Sequence, residues 1–146
     1  MYLLDTNVVS LLDARRRSFT QPLVEWIERS GSALYLSAMS IAELEAGGLK
    51  LRRRKDDARA AEITALLALI EAHFGERILP MDRHVARALA QIEDQIFPRT
   101  IELADLIIAA TAKVRGYTIL TANIRHFAIT GVPSINPVAD LPPELL

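Results

Sequence analysis

The chain has 146 residues, 51% of them hydrophobic and 24% charged, a make-up that excludes a disordered protein and fits a folded globular one. A formal net charge of −1 excludes a surface that grips nucleic acid all over, leaving only local basic patches for that purpose. Without cysteine there are no disulfides or thiolate metal sites, and no apolar run approaches the ~18–20 residues of a membrane span. A reducing cytoplasm fits this composition, and no basic run precedes the first strand, so a signal peptide is not expected. The length predicts one domain over residues 1–146, large enough to bury a full core.

Short β-type runs alternate with longer helical ones, which predicts an α/β domain around a parallel sheet. Tyr2 to Asp5 reads as a strand, with Thr6 capping a helix that continues through Leu12. A second amphipathic helix is expected from about Pro22 to Arg29, because Pro22 suits a first turn and Gly31 a stop. Leu34-Tyr35-Leu36-Ser37 is the second strand. Ser40 is expected to cap a helix carrying Ile41, Leu44 and Leu49, with Gly47-Gly48 weakening its middle or marking its end. Residues 56 to 74 read as a long helix with Ile63, Leu66, Leu67 and Ile70 on one stripe. Ile78-Leu79 is a third short strand. Asp82 then caps a helix whose Val85, Ala86, Leu89 and Ile92 recur at helical spacing before Pro98. The helix from about Glu102 to Arg115 is apolar nearly all round, hence central, and Gly116 closes it. Tyr117 to Thr121 is a strand and Pro133 to Asn136 a last edge strand. No repeat, linker or low-complexity segment interrupts the series.

Three acidic residues sit in apolar company: Asp5 after Met1-Tyr2-Leu3-Leu4, Glu43 within Ser40-Ile41-Ala42-Glu43-Leu44, and Asp105 inside Leu103-Ala104-Asp105-Leu106-Ile107-Ile108. A buried ionised carboxylate costs several kcal/mol unless a counter-charge or metal compensates it. In open parallel sheets ligands bind beyond the carboxyl ends of the strands. Asp5 ends the first strand and Thr121-Ala122-Asn123 ends the fourth, so both belong to one rim. Glu43 and Asp105 lie about a turn inside helices that meet it. Oxygen ligands of this kind suit Mg²⁺ or Mn²⁺, which activates water and neutralises charge on a phosphate. Each residue also has an ordinary role open to it: Asp5 as a helix cap, Glu43 as a solvated helix residue, Asp105 in a buried pair with an arginine, Asn123 in a turn.

Four segments in order, LLDTNVVS, LSAMSIAELEAG, ELADLIIAATA and YTILTANIRHF, resemble the signatures of PIN domains, and the similarity is greatest to VapC-type toxins of bacterial type II toxin–antitoxin systems, including their FitB-like branch. The resemblance runs essentially end to end, with ILPMD and the final INP included. It implies a three-layer α/β/α sandwich with a central parallel sheet of about four to five strands. It also implies a Mg²⁺- or Mn²⁺-dependent ribonuclease that cleaves RNA by metal-activated water. On its motifs Asp5, Glu43 and Asp105 match the first three acidic residues, and Asn123 falls where many relatives carry a fourth. Asp5 and Asp105 are then the direct metal ligands and Glu43 binds through water or orients the attacking one. Thr6, Asn7 and Thr121 look like groups that orient those ligands. His126 stands where relatives often have Asp and is read as peripheral, a surface or helix-end residue. The resemblance further implies a cognate small antitoxin, operator DNA bound only through it, and a homodimer or higher toxin–antitoxin assembly.

The positive charge is concentrated in Arg15-Arg16-Arg17 and Arg52-Arg53-Arg54-Lys55. Arg125 beside the rim, with Arg15 and Arg16, is a candidate for RNA phosphate contact; a solvated loop or helix end is the plainer role for each. A rival reading is a non-catalytic regulatory partner whose anionic pocket accepts a basic antitoxin group. A phosphatase of the haloacid dehalogenase type needs a second Asp where Asn7 stands. The glycine-rich phosphate loops, HExxH and GxSxG are absent, and His73, His84 and His126 share no ligand spacing.

Overall fold

The computed structural model describes residues 1–13, 15 and 21–144. Its strands are β1 (Tyr2–Leu4), β2 (Leu34–Ser37), β3 (Ile78–Leu79), β4 (Thr118–Leu120) and β5 (Ser134–Ile135). All neighbours pair in parallel, in the order β3-β2-β1-β4-β5, with Leu3 opposite both Tyr35 and Ile119. The helices are α1 (Thr6–Val9, continued by a 3-10 turn over Ser10–Leu12), α2 (Gln21–Arg29), α3 (Ala38–Arg53), α4 (Asp57–Phe74), α5 (Arg83–Ile96), α6 (Leu103–Arg115) and α7 (Ile124–Ala128). No described helix is long and apolar enough to cross a membrane.

Strands buried on both faces produce two cores, so the fold has three layers. On one face Tyr2, Leu4, Leu34, Leu36 and Leu120 pack against Trp26 and Ile27 of α2 and Leu66 and Ile70 of α4. On the other, Leu3 and Ile119 meet Ile92 of α5 and Ile108 of α6. Fully buried side chains such as Leu4 and Ile108 each contribute roughly 2 kcal/mol. The expected α/β/α sandwich is therefore observed, at the upper end of the expected strand count.

Several local expectations shift. Asp5, not Thr6, caps α1 by accepting from the Thr6 N–H at 2.7 Å. Ser37, not Ser40, caps α3 by accepting from Met39 N at 3.1 Å, so this helix starts a turn earlier than expected. Asp82 caps α5 as expected, accepting from His84 and Val85, but the buried stripe is Val85, Ala88, Ile92 and Ile96, with Ala86 in solvent. Gly116, at φ 69°, closes α6 in the left-handed conformation glycine tolerates best.

Gly47 and Gly48 neither end nor interrupt α3, which runs on to Arg53. Gly48 is buried where α3 meets α4, and a Cβ there would stand 3.2 Å from Cγ2 of Ile63; one at Gly47 would meet nothing within 4 Å. Adjacent glycines should therefore respond in opposite directions. Gly47→Ala is expected to gain roughly 0.5–1 kcal/mol of helix propensity and raise Tm by about 2–4 °C. Gly48→Leu is expected to cost about 1–3 kcal/mol through overpacking. Thermal melting of the two variants checks both signs.

Candidate active site

The chain lays β2 and β3 to one side of β1, then returns to place β4 and β5 on the other. Strand order reverses between β1 and β4, and the crevice at their carboxyl ends is where such a sheet offers a ligand site. Asp5 leaves β1 and Thr121 leaves β4 at that point. The Asp5 N–H donates to the Leu120 carbonyl at 2.8 Å, and the Thr121 hydroxyl donates to Asp5 Oδ2 at 2.8 Å. Asn7 Oδ1 accepts from Ala122 N at 3.2 Å, tying the two strand ends together.

A pocket of about 420 Å³ opens there, lined by Asp5, Thr6, Asn7, Ser10, Glu43, Glu102, Ala104, Asp105, Asn123 and His126. Glu43 reaches it from the second turn of α3, and its Oε1 accepts from the Thr6 hydroxyl at 2.6 Å. Ser40 Oγ stands 2.9 Å from the same hydroxyl, which is the role this serine has in place of capping. Asp105 arrives on the first turn of α6, because that helix runs back against the strands and presents its N-terminal end at their carboxyl rim. Its Oδ2 lies 3.0 Å from Nδ1 of His126 on α7.

Burial pushes the Asp5 carboxyl above its ordinary value; hydrogen bonds from Thr121 and the Thr6 N–H oppose that, and the charges of Asp105 and Glu43 add to it. Asp5 is 5% exposed, so its anion is poorly solvated and faces two more carboxylates. Among the described residues no three Asp, Glu or His side chains converge closely enough to grip one ion directly. Mg²⁺-like cations commonly take one or two carboxylates and keep several waters, and the carboxylate, hydroxyl and amide oxygens of this lining, which holds no lysine or arginine, fit that pattern.

Every residue read from sequence as part of the anionic pocket lines it: Asp5, Glu43, Asp105 and Asn123, with Thr6 and Asn7 beside them. Thr121 acts from beneath through its bond to Asp5. The basic candidates divide. Arg125 lines an adjoining cavity, whereas Arg15 pairs with Glu62 of α4 at 2.8 Å and Arg16 lies outside the described residues. His126 is corrected from peripheral to a direct neighbour of Asp105. Glu102 was overlooked as a site residue, although its place one turn before Asp105 on the same helical face was a usable signal.

Residues 2–132 match the family model described as PIN domain. The chain belongs to the PIN-domain family. This PIN domain is 34% identical over 144 residues to Toxin FitB of Neisseria gonorrhoeae, across 96% of this chain and 100% of that one. It is 33% identical over 142 residues to the plasmid stability protein StbB of Pseudomonas syringae pv. tomato (94% and 98%), and 33% over 143 residues to a VapC ribonuclease of Sinorhizobium fredii (94% and 97%). Among solved structures, FitAcB from Neisseria gonorrhoeae matches with a TM-score of 0.74 at 33% identity, over 94% of this chain and 98% of that one. FitAB bound to a DNA fragment matches at 0.67 and 32% identity, over 94% and 96%.

Proposed function

We propose that this PIN-domain protein is a divalent-metal-dependent endoribonuclease, the toxin of a toxin–antitoxin pair. The observation that carries the proposal is the convergence of Asp5, Glu43 and Asp105, from three separate elements, on one pocket where the Asp5 anion is destabilised by burial. The relatives named Toxin FitB and VapC ribonuclease support it. Asp5 and Asp105 would hold the cation directly, Glu43 through water, with Asn123 completing the rim as a neutral oxygen donor. Mg²⁺ or Mn²⁺ bound there supplies an activated water and neutralises charge developing on the phosphate. Thr121 and the Thr6 N–H fix Asp5 so that both its oxygens are oriented, and the Thr6 hydroxyl does the same for Glu43. Glu43, half-buried in the pocket lining, would orient the attacking water.

His126 would act through Asp105. An N–H on Nδ1 would donate to Oδ2 and leave the other carboxylate oxygen free to hold a cation. His126→Ala is expected to weaken Mn²⁺ binding by about tenfold in calorimetry, with the fold intact by circular dichroism. The match to FitAB bound to a DNA fragment supports a toxin–antitoxin assembly on DNA; the proposal adds that the small antitoxin carries the operator contact and that the toxin is a homodimer.

The test is cleavage of RNA by the purified chain with Mg²⁺ or Mn²⁺, against EDTA and against Asp105→Asn. New RNA ends that need both metal and Asp105 are the expected result. Equal end formation in all three samples would overturn the nuclease, and would favour the reading of a binding partner whose anionic pocket takes a basic antitoxin group.

A further inference from the structure

A second, larger cavity of about 810 Å³ shares Glu102, Asp105 and His126 with the carboxylate pocket, so the two are continuous. Its other walls differ in character. Arg99, in the turn between α5 and α6, and Arg125, on α7, both line it and are both exposed. Among the described residues neither guanidinium takes part in an ion pair. Ile101 and the 62% exposed Leu103 line it as well, and Phe97, the chain neighbour of the lining Pro98, is 80% exposed. Exposed apolar side chains grouped at the edge of a cavity, as Phe97 and Leu103 are here, mark a binding surface more than a single one does.

We infer that this cavity is the subsite for the nucleotide next to the scissile bond in a single-stranded RNA, with Arg99 and Arg125 holding its phosphate and Phe97 stacking on its base. The inference rests on the nuclease reading above. The charge pattern carries it: an anionic chain must cross a pocket of carboxylates, and fixed positive charge immediately beyond them lets it do so while a cation neutralises the first phosphate. A volume of about 810 Å³ is that of a site holding an ordinary small ligand, ample for one nucleotide. Single-stranded bases are recognised by stacking on exposed aromatic rings, which suits an enzyme acting on loops rather than duplex.

The test is fluorescence anisotropy of a labelled single-stranded oligoribonucleotide on the full chain, with Ca²⁺ in place of Mg²⁺. Arg99→Ala and Arg125→Ala are each expected to weaken binding about tenfold and to flatten the dependence of log affinity on log salt by about 0.7. Phe97→Ala is expected to weaken it about tenfold with the salt dependence unchanged, and Phe97→Trp to restore it. Lys113→Ala, which removes a charge at the far end of α6, serves as the control and should bind as the parent does. Parent-like affinity in all three alanine variants, or a Phe97→Trp chain as weak as Phe97→Ala, would overturn the subsite. If the parent fails to cleave RNA yet the variants weaken binding as stated, the nuclease reading falls and the RNA subsite stands.

Discussion

An Asp5→Asn chain is expected to lose metal-dependent RNA cleavage by about a thousandfold or more while keeping its fold, because it removes the buried carboxylate from which metal positioning starts. Asn is as good a helix cap as Asp, so the bond from the Thr6 N–H survives the change. Stability should report the same residue independently. A cation at about a hundred times its Kd stabilises a native state by roughly 2.7 kcal/mol, a melting shift of about 5–10 °C for a chain of this size. The parent should show that shift with Mn²⁺, and Asp5→Asn should lose most of it.

The sign reverses without metal. The Asp5 carboxyl sits above its ordinary 3.8, so the folded chain holds that proton more tightly than the unfolded one. Its contribution to stability is then complete below about pH 3.8 and is lost as the pH rises through the raised value. In EDTA the melting temperature of Asp5→Asn relative to the parent should climb as the pH rises above about 3.8, since only the parent acquires a buried charge. A flat difference across that range would show that the Asp5 anion carries no such penalty, and with it the case for a cation there would fail.

What could be read from the sequence followed how local the determinant was. Asp5 and Asp105 stood out because a carboxylate in an apolar run is anomalous on its own, whatever the fold. The rim could be placed because parallel-sheet topology puts strand ends together. Ser37 and Ser40 offer the same hydroxyl a turn apart, and only packing decides between them: Ser40 faces Thr6 across 34 positions, leaving Ser37 to cap. The Gly47-Gly48 pair misleads because the tight approach of α3 to α4 needs a missing Cβ at Gly48, which outweighs the propensity cost. His126 carries no pattern of its own; its partner Asp105 is 21 residues away on another helix, and the packing of α7 on α6 makes the contact.

The least legible feature has the second large expected effect. Asp13 is 3% exposed, just after the turn that follows α1, and Arg59 Nη1 of α4 lies 2.6 Å from its Oδ2. The same nitrogen is 2.6 Å from Glu62, so one guanidinium serves two carboxylates; hydrogen bonding to Glu62 chiefly, and to Asp13, raises its pKa against the opposing effect of burial. Nothing in the local sequence around Asp13 announces a partner 46 positions on. Arg59→Met should cost about 3 kcal/mol, since it leaves a buried carboxylate with one remaining described donor, the Arg15 N–H at 3.2 Å. Arg59 keeps 17% of its side chain in water, which holds the figure to the lower end of the range for buried pairs. The penalty belongs to the orphaned charge and not to the lost attraction, so Asp13→Leu with Arg59→Met should recover most of it. Urea unfolding of the four chains in that cycle measures the difference directly. A double variant no more stable than Arg59→Met alone would mean that the guanidinium holds α4 in place by packing, and that Asp13 has water enough to stand alone.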